Sequence, residues 1–299
     1  MRIGVSALVY LVLTGVIGAL LGLFVPSLGD WLPSELGDPR VLGANVAVAL
    51  LYSAALAHPV MRSRWLGRSL AAATFVALAG IIVVLPWIEL VIFNLREVPA
   101  DSIGPVFILH LITFAAFAPI VVRIFGRHDS SGGAPAEEEN RRLRLTPWSW
   151  TWRLPAISFS YVLLYVLFGV FVAWRAPAIR EFYENVQMPS IGTILLTQVG
   201  RGLIWAAIAM PIVRMMRGPR WETALTLGVL FSVLMSAGLL MPNPILPVDV
   251  RMVHLVEVSA SNFLFGLVVG WLLTPGYTIG RSNPISRPGM DQPLSRTVR

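Results

Sequence analysis

The sequence predicts an all-α integral membrane protein of eight transmembrane helices, built as two parallel four-helix repeats with both termini cytoplasmic. Three observations carry this. The 299-residue chain is 56% hydrophobic and only 13% charged, where a soluble domain has about 25% charged residues. Eight apolar runs each approach the ~20 residues that cross a hydrocarbon core. Arginine accumulates in alternate loops, as the positive-inside rule requires.

The runs fall at residues 4–25, 41–60, 69–92, 104–125, 156–174, 191–213, 223–241 and 252–273. Arg2 before the first run resembles a signal-peptide start, but the run is too long for an h-region and no small-x-small cleavage site precedes Asp30. It is therefore a helix. Of the 23 basic residues, all arginine, 17 lie on one side: Arg2, the loops around Arg62–Arg68, Arg123–Arg153 and Arg214–Arg220, and the tail from Arg281. Acids gather in the other loops, among them Asp30, Glu35, Asp38, Glu97, Asp101, Glu181, Glu184 and Asp249. The arginine-rich side is cytoplasmic, and short loops with arginine in place of lysine fit a bacterial inner (plasma) membrane. The net charge of +7 is this topology signal and gives no ground for a nucleic-acid partner.

Domain organisation follows from the longest inner loop. Residues 1–126 form the first half, 127–154 a cytoplasmic linker, 155–274 the second half and 275–299 a disordered tail. In the linker, a polar HDSSGGAPAEEENRR segment precedes Trp148, Trp150 and Trp152, which suit the headgroup interface or a protein partner. The halves share motifs in the same order. Ala55-Leu-Ala-His-Pro59-Val-Met-Arg62 parallels Ala207-Ile-Ala-Met-Pro211-Ile-Val-Arg214, and Asp101 with His110 parallels Asp249 with His254. Such order is expected of a parallel repeat about an axis along the membrane normal. The glycines Gly15, Gly18 and Gly22, and again Gly266 and Gly270, give small faces for close helix packing.

Polar residues inside the runs mark the candidate site, because ionisable groups in a bilayer are costly. In the eighth run Arg251, His254, Glu257 and Ser261 fall within about 120° of one face at 100° per residue, with Asn262 beside them. Counted from the outer ends, His254, Glu257, His110 and Glu89 lie in the outer third, with Gln198 and Arg201 deeper. The pattern predicts a polar cavity, open outward and narrowing toward Arg201. The competing reading is a set of structural ion pairs joining Glu89 or Glu257 to Arg201 or Arg251. His110, His254 and Glu257 also form a set for a divalent metal, and His110 with His254 a pair for haem.

Function classes are narrowed by what is missing. Cysteine is absent, which removes disulfides, thiolate metal sites and cysteine nucleophiles; absence of lysine removes Schiff-base chemistry. Neither a Walker A loop, a GxSxG elbow, a CxxCH site nor an HExxH helix occurs. Three classes fit what is left: a transporter or permease for a small, anionic or protonatable solute, with Arg201 supplying positive potential and His254 with Glu257 exchanging protons; a non-catalytic membrane subunit of a larger assembly; and an intramembrane metal- or haem-dependent enzyme.

Overall fold

A computed structural model describes residues 1–23, 38–93, 100–127, 143, 145–184, 186–242 and 246–274, with side chains omitted at 100–103. Asp30, Glu35, Glu97, the side chain of Asp101, most of the polar linker and the tail from 275 lie outside the described residues.

Eight helices in the described residues are long and apolar enough to cross a membrane. They are built from α1 (Arg2–Gly22), α2 (Pro39–Met61), α3 (Gly67–Leu78) continued by α4 (Leu85–Phe93), α5 (Ala100–Ile124), α6 (Pro147–Phe171), α8 (Ile191–Met215), α9 (Arg220–Ser236) and α10 (Val248–Leu273). A ninth, short helix, α7 (Pro177–Glu184), lies between the fifth and sixth spans. Local chemistry sets several starts. Asp38 accepts from the Arg40 N–H at 2.7 Å with Pro39 at the first helical position. Thr146 before Pro147 and Ser190 before Ile191 accept from the N–H three residues on, each at 3.2 Å. These caps satisfy donors that the helix leaves unpaired.

The third span is not a uniform α-helix. Between α3 and α4 the segment Ala79–Val84 is a π-helix, in which the Leu85 N–H reaches back to the Gly80 carbonyl. Pro86 follows directly. It has no N–H to donate, and its ring would crowd the carbonyl four residues back, so the wider turn accommodates it. Gly80 lets this segment approach α8: a methyl there would stand 2.6 Å from Ile208 Cδ1.

Within the first four spans α1 packs on α2 and α5, and α3 packs on α5; within the last four α6 packs on α8 and α10, and α9 packs on α10. Across the middle, α2 meets α9 and α3 meets α8. The α9–α10 seam is the tightest. A Cβ on Gly266 would lie 2.5 Å from the Leu227 carbonyl oxygen, and one on Gly270 would lie 2.4 Å from Ala224 Cα. These glycines serve close packing as expected. Gly15, Gly18 and Gly22 do not, since nothing among the described residues comes within 4 Å of a Cβ built on any of them.

One end of the bundle is tied by arginines. Ser63 and Met216, just past α2 and α8, form an antiparallel bridge, with Arg64 N–H to Met215 O at 2.6 Å and Arg217 N–H to Arg62 O at 3.0 Å. Arg2 donates to the Phe125 carbonyl at 3.1 Å, while Arg153 and Arg220 donate to the Leu272 and Trp271 carbonyls at the end of α10. Cations on C-terminal carbonyls satisfy orphan acceptors and complement the helix dipole. Arg62 and His58 from α2 both reach Glu222 of α9, at 2.6 and 3.4 Å.

Two boundaries differ from the sequence reading. The fifth span begins at Pro147 rather than 156, so Trp148, Trp150 and Trp152 ride on the first turns of α6. The short helix α7 lies within what the sequence reading treated as plain loop.

Candidate functional site

At the end away from the arginine ties, a cavity of about 320 Å³ opens between the third, fifth, sixth, seventh and eighth spans. Its lining runs from Phe93 at the end of α4, Tyr183 on α7 and Leu246 before α10 to Arg201, Tyr161, Asn262 and Phe265 within the spans. α7 holds Tyr183 in place by burying Ile179 with Ala173 and Val250 in a small apolar cluster of its own.

Two charge pairs line the cavity. Glu89 stands one turn past the π-helix on α4 and forms an ion pair with Arg201, which sits on α8 about 15 Å from that helix's start. Arg201 is 1% exposed and Glu89 30%, so the cation is buried and the carboxylate faces the open space. The same guanidinium donates to Gln198 Oε1 at 2.9 Å and lies 5.5 Å from the Tyr161 ring centroid. The second pair is His254 with Glu257, one turn apart on α10, at 2.7 Å. A carboxylate only accepts, so the Nδ1 proton occupies this bond. His254 Nε2 then faces the Tyr183 hydroxyl, 3.5 Å away. Burial, followed by the nearby Glu89 and Glu257 carboxylates, pushes the Tyr183 phenol well above its ordinary value, so the hydroxyl stays protonated and donates toward His254. Glu257 Oε1 receives no hydrogen bond from the described residues.

Below the cavity the bundle is closed by rings. Trp205 and Phe231 are 4.2 Å apart at their centroids, Tyr161 and Phe265 are 4.9 Å apart, and Trp205 and Phe265 are 6.0 Å apart. Trp205, Phe231 and Phe265 are fully buried. This aromatic floor separates the cavity from the arginine-tied end.

Of the residues the sequence singled out, Glu89, Arg201, His254, Glu257 and Asn262 line one cavity, and Gln198 joins them through Arg201. Arg251 does not. Its guanidinium turns back to the Leu239 carbonyl at 3.1 Å and to the Met241 carbonyl, stapling the end of the seventh span. Nor does His110. It donates to its own helix at Val106 O, 2.8 Å away, and packs near Phe114 on α5, a helix that lies against α1 and α3. The expected metal set of His110, His254 and Glu257 is therefore not assembled: no group of three His, Cys, Asp or Glu residues suited to a metal occurs among the described residues. Of the His110 and His254 pair considered for haem, only His254 lines the cavity. Tyr161, Tyr165 and Tyr183 line the cavity and escaped the sequence reading, because tyrosine in a membrane helix is no anomaly.

The arrangement can hold a small solute between carboxylate, imidazole and phenol groups, and can move a proton along Tyr183, His254 and Glu257. Comparison with protein-family models, curated proteins and solved structures finds no match.

Proposed function

We propose that this protein is a permease of the bacterial inner (plasma) membrane that binds a small solute in the cavity and couples its passage to a proton on His254. One observation carries the reading. Both charge pairs and three tyrosines converge on a single cavity of about 320 Å³, the low end of the range for small-molecule sites, with an aromatic floor beneath it. If the charges were purely structural ion pairs, they would need no open space beside them. Glu89 and Arg201 do act as such a pair, which leaves His254 and Glu257 as the exchangeable groups.

In this reading the arginine-tied end faces the cytoplasm and the cavity faces outward. We further propose that the two four-helix halves are duplicates related by a two-fold axis along the membrane normal. The neighbour relations support it: α1 with α2 matches α6 with α8, α1 with α5 matches α6 with α10, α3 with α5 matches α9 with α10, and α2 with α9 is returned as α8 with α3. The antiparallel bridge between Ser63 and Met216 joins the segments that follow the paralleled Pro59–Arg62 and Pro211–Arg214 motifs. Rocking of such halves about a fixed site is a general route to alternating access.

The test is solute-driven proton movement in proteoliposomes carrying an internal pH dye, across a panel of small cations, anions and neutral polar solutes. The wild type gives a saturable pH change with at least one class, and Glu257→Gln abolishes it while remaining folded. Absence of any response across the panel, with folded and inserted protein, rejects the transport reading.

A further inference from the structure

We infer that the solute is a small organic cation, and that the cation and a proton on His254 exclude each other from the cavity. This rests on the solute-binding reading above and adds the charge and chemical class that the site accepts.

Charge comes first. Glu89 and Glu257 bring two negative charges to the cavity and Arg201 one positive, and the Arg201 charge is already satisfied by Glu89. With His254 neutral the site carries one uncompensated negative charge, on Glu257. That carboxylate has one oxygen on His254 and the other unbonded among the described residues. Among the described residues an anion would meet two carboxylates and no available cation, because Arg201 is fully buried against its partner. An unpaired charge in low dielectric is expensive, and a bound cation removes that cost.

The walls supply the second argument. Tyr161, Tyr165, Tyr183, Phe93 and Phe265 all line the cavity. Aromatic faces attract a cation through the ring quadrupole, most strongly where water is excluded, and cages of such rings recognise alkylammonium groups. The guanidinium of Arg201 already uses the Tyr161 face in this way, at 5.5 Å. A hydrated metal ion would want oxygen ligands in number, which these rings do not provide. An organic cation suits one carboxylate set among five aromatic rings.

Exclusion follows from the geometry around His254. Among the described residues, the charged and titratable groups facing it are Glu257 on its own helix, Tyr183 from α7, and, across the cavity, Glu89 from α4, Arg201 from α8 and Tyr161 and Tyr165 from α6. Arg251 is turned away to backbone carbonyls. A proton on His254 neutralises Glu257 at 2.7 Å and brings the cavity to zero net charge. The cation then loses its counter-charge and meets an imidazolium as well. Binding therefore strengthens as pH rises, and cation entry expels the histidine proton.

The experiment is calorimetric titration of the full-length purified protein with tetraethylammonium, with benzoate and sodium as comparison probes, at pH 8 and pH 5.5. Tetraethylammonium binds saturably at pH 8, at least about tenfold more weakly at pH 5.5, and neither benzoate nor sodium competes. Glu257→Gln lowers affinity at pH 8 by at least about tenfold and flattens the pH dependence, while Glu257→Asp restores part of both. Tyr165→Phe, which keeps the ring, binds within about threefold of wild type; Tyr165→Leu weakens binding by about tenfold. Preference for benzoate, or no tetraethylammonium binding to protein that remains folded, overturns the inference. The outcomes separate from those of the transport reading. Anion or neutral-solute flux without cation binding removes the cation class alone, whereas tight, pH-dependent cation binding without flux removes transport alone.

Discussion

Arg201 and Glu89 illustrate how one buried pair shapes everything near it. Arg201 is 1% exposed, and a guanidinium that deep in a bundle persists only with a partner. Glu89 provides that partner, Gln198 a second acceptor and Tyr161 a ring face. We expect Glu89→Gln to lower stability by about 1–3 kcal/mol, less than the 3–5 typical of a fully buried pair because Glu89 is partly exposed. The double variant Glu89→Gln/Arg201→Gln should recover part of that loss. Thermal unfolding of the four members of the cycle in one detergent checks this; equal destabilisation by single and double variants would show that the pair does not hold the spans together. At this scale the sequence was informative where it broke a rule. Glu89, Arg201, His254 and Glu257 stand out in apolar runs because charge there is costly, and they do converge. Arg251 shared their helical face, but a long flexible side chain can reach back along its helix, and the Leu239 and Met241 carbonyls drew it away. His110 matched His254 by order along the chain, yet a carbonyl of its own helix satisfies it.

At the scale of elements, two features decide where the site residues point. The π-helix at Ala79–Val84 inserts one wide turn before Pro86 and so sets the direction of Glu89; π-bulges occur often at functional sites. The α9–α10 seam is held by Gly228, Gly266 and Gly270, whose absent side chains let backbones touch, and α10 carries His254 and Glu257. Gly270→Val should therefore cost about 1–3 kcal/mol through overpacking, and displace α10, whereas Gly15→Val should be neutral, since nothing among the described residues lies within 4 Å of a Cβ built there. Melting temperatures of the two variants test the contrast, and equal effects would contradict the seam's role. Periodicity and length placed all eight long helices to within a few residues at most ends. The start of α6 was misjudged by nine residues because its Trp-rich first turns are amphipathic and fall outside an apolar window, although Thr146 and Pro147 were a legible start signal. Helix α7 was missed because eight residues with Ile179, Phe182 and Tyr183 on one side carry too little hydrophobic length to register as a span.

The whole molecule sets an arginine-tied end against an open one. The first half packs an aromatic cluster of Tyr10, Tyr52, Phe114 and Phe117, and the second packs Tyr161, Trp205, Phe231 and Phe265. Beside the second cluster charged groups open a cavity, to which the first half contributes its third span through Glu89. If the halves are duplicates, they have diverged at this point: Glu257 corresponds to Thr113, which donates to the Leu109 carbonyl of its own helix. Because the chain has no cysteine, single cysteines report sidedness directly. Arg217→Cys should react with a membrane-impermeant maleimide only after lysis, and Glu184→Cys in intact cells; the reverse pattern would invert the assignment of ends. The same chemistry probes the cavity itself through Ser261, which lines it between Glu257 and Phe265. The most direct test is the labelling rate of Ser261→Cys by a small impermeant thiol reagent applied from each side. Reaction from the α7 side, slowed by bound solute and absent from the arginine-tied side, is the predicted result. A cysteine unreactive from both sides would mean that water does not reach the charge pairs and that they serve only to hold the helices together.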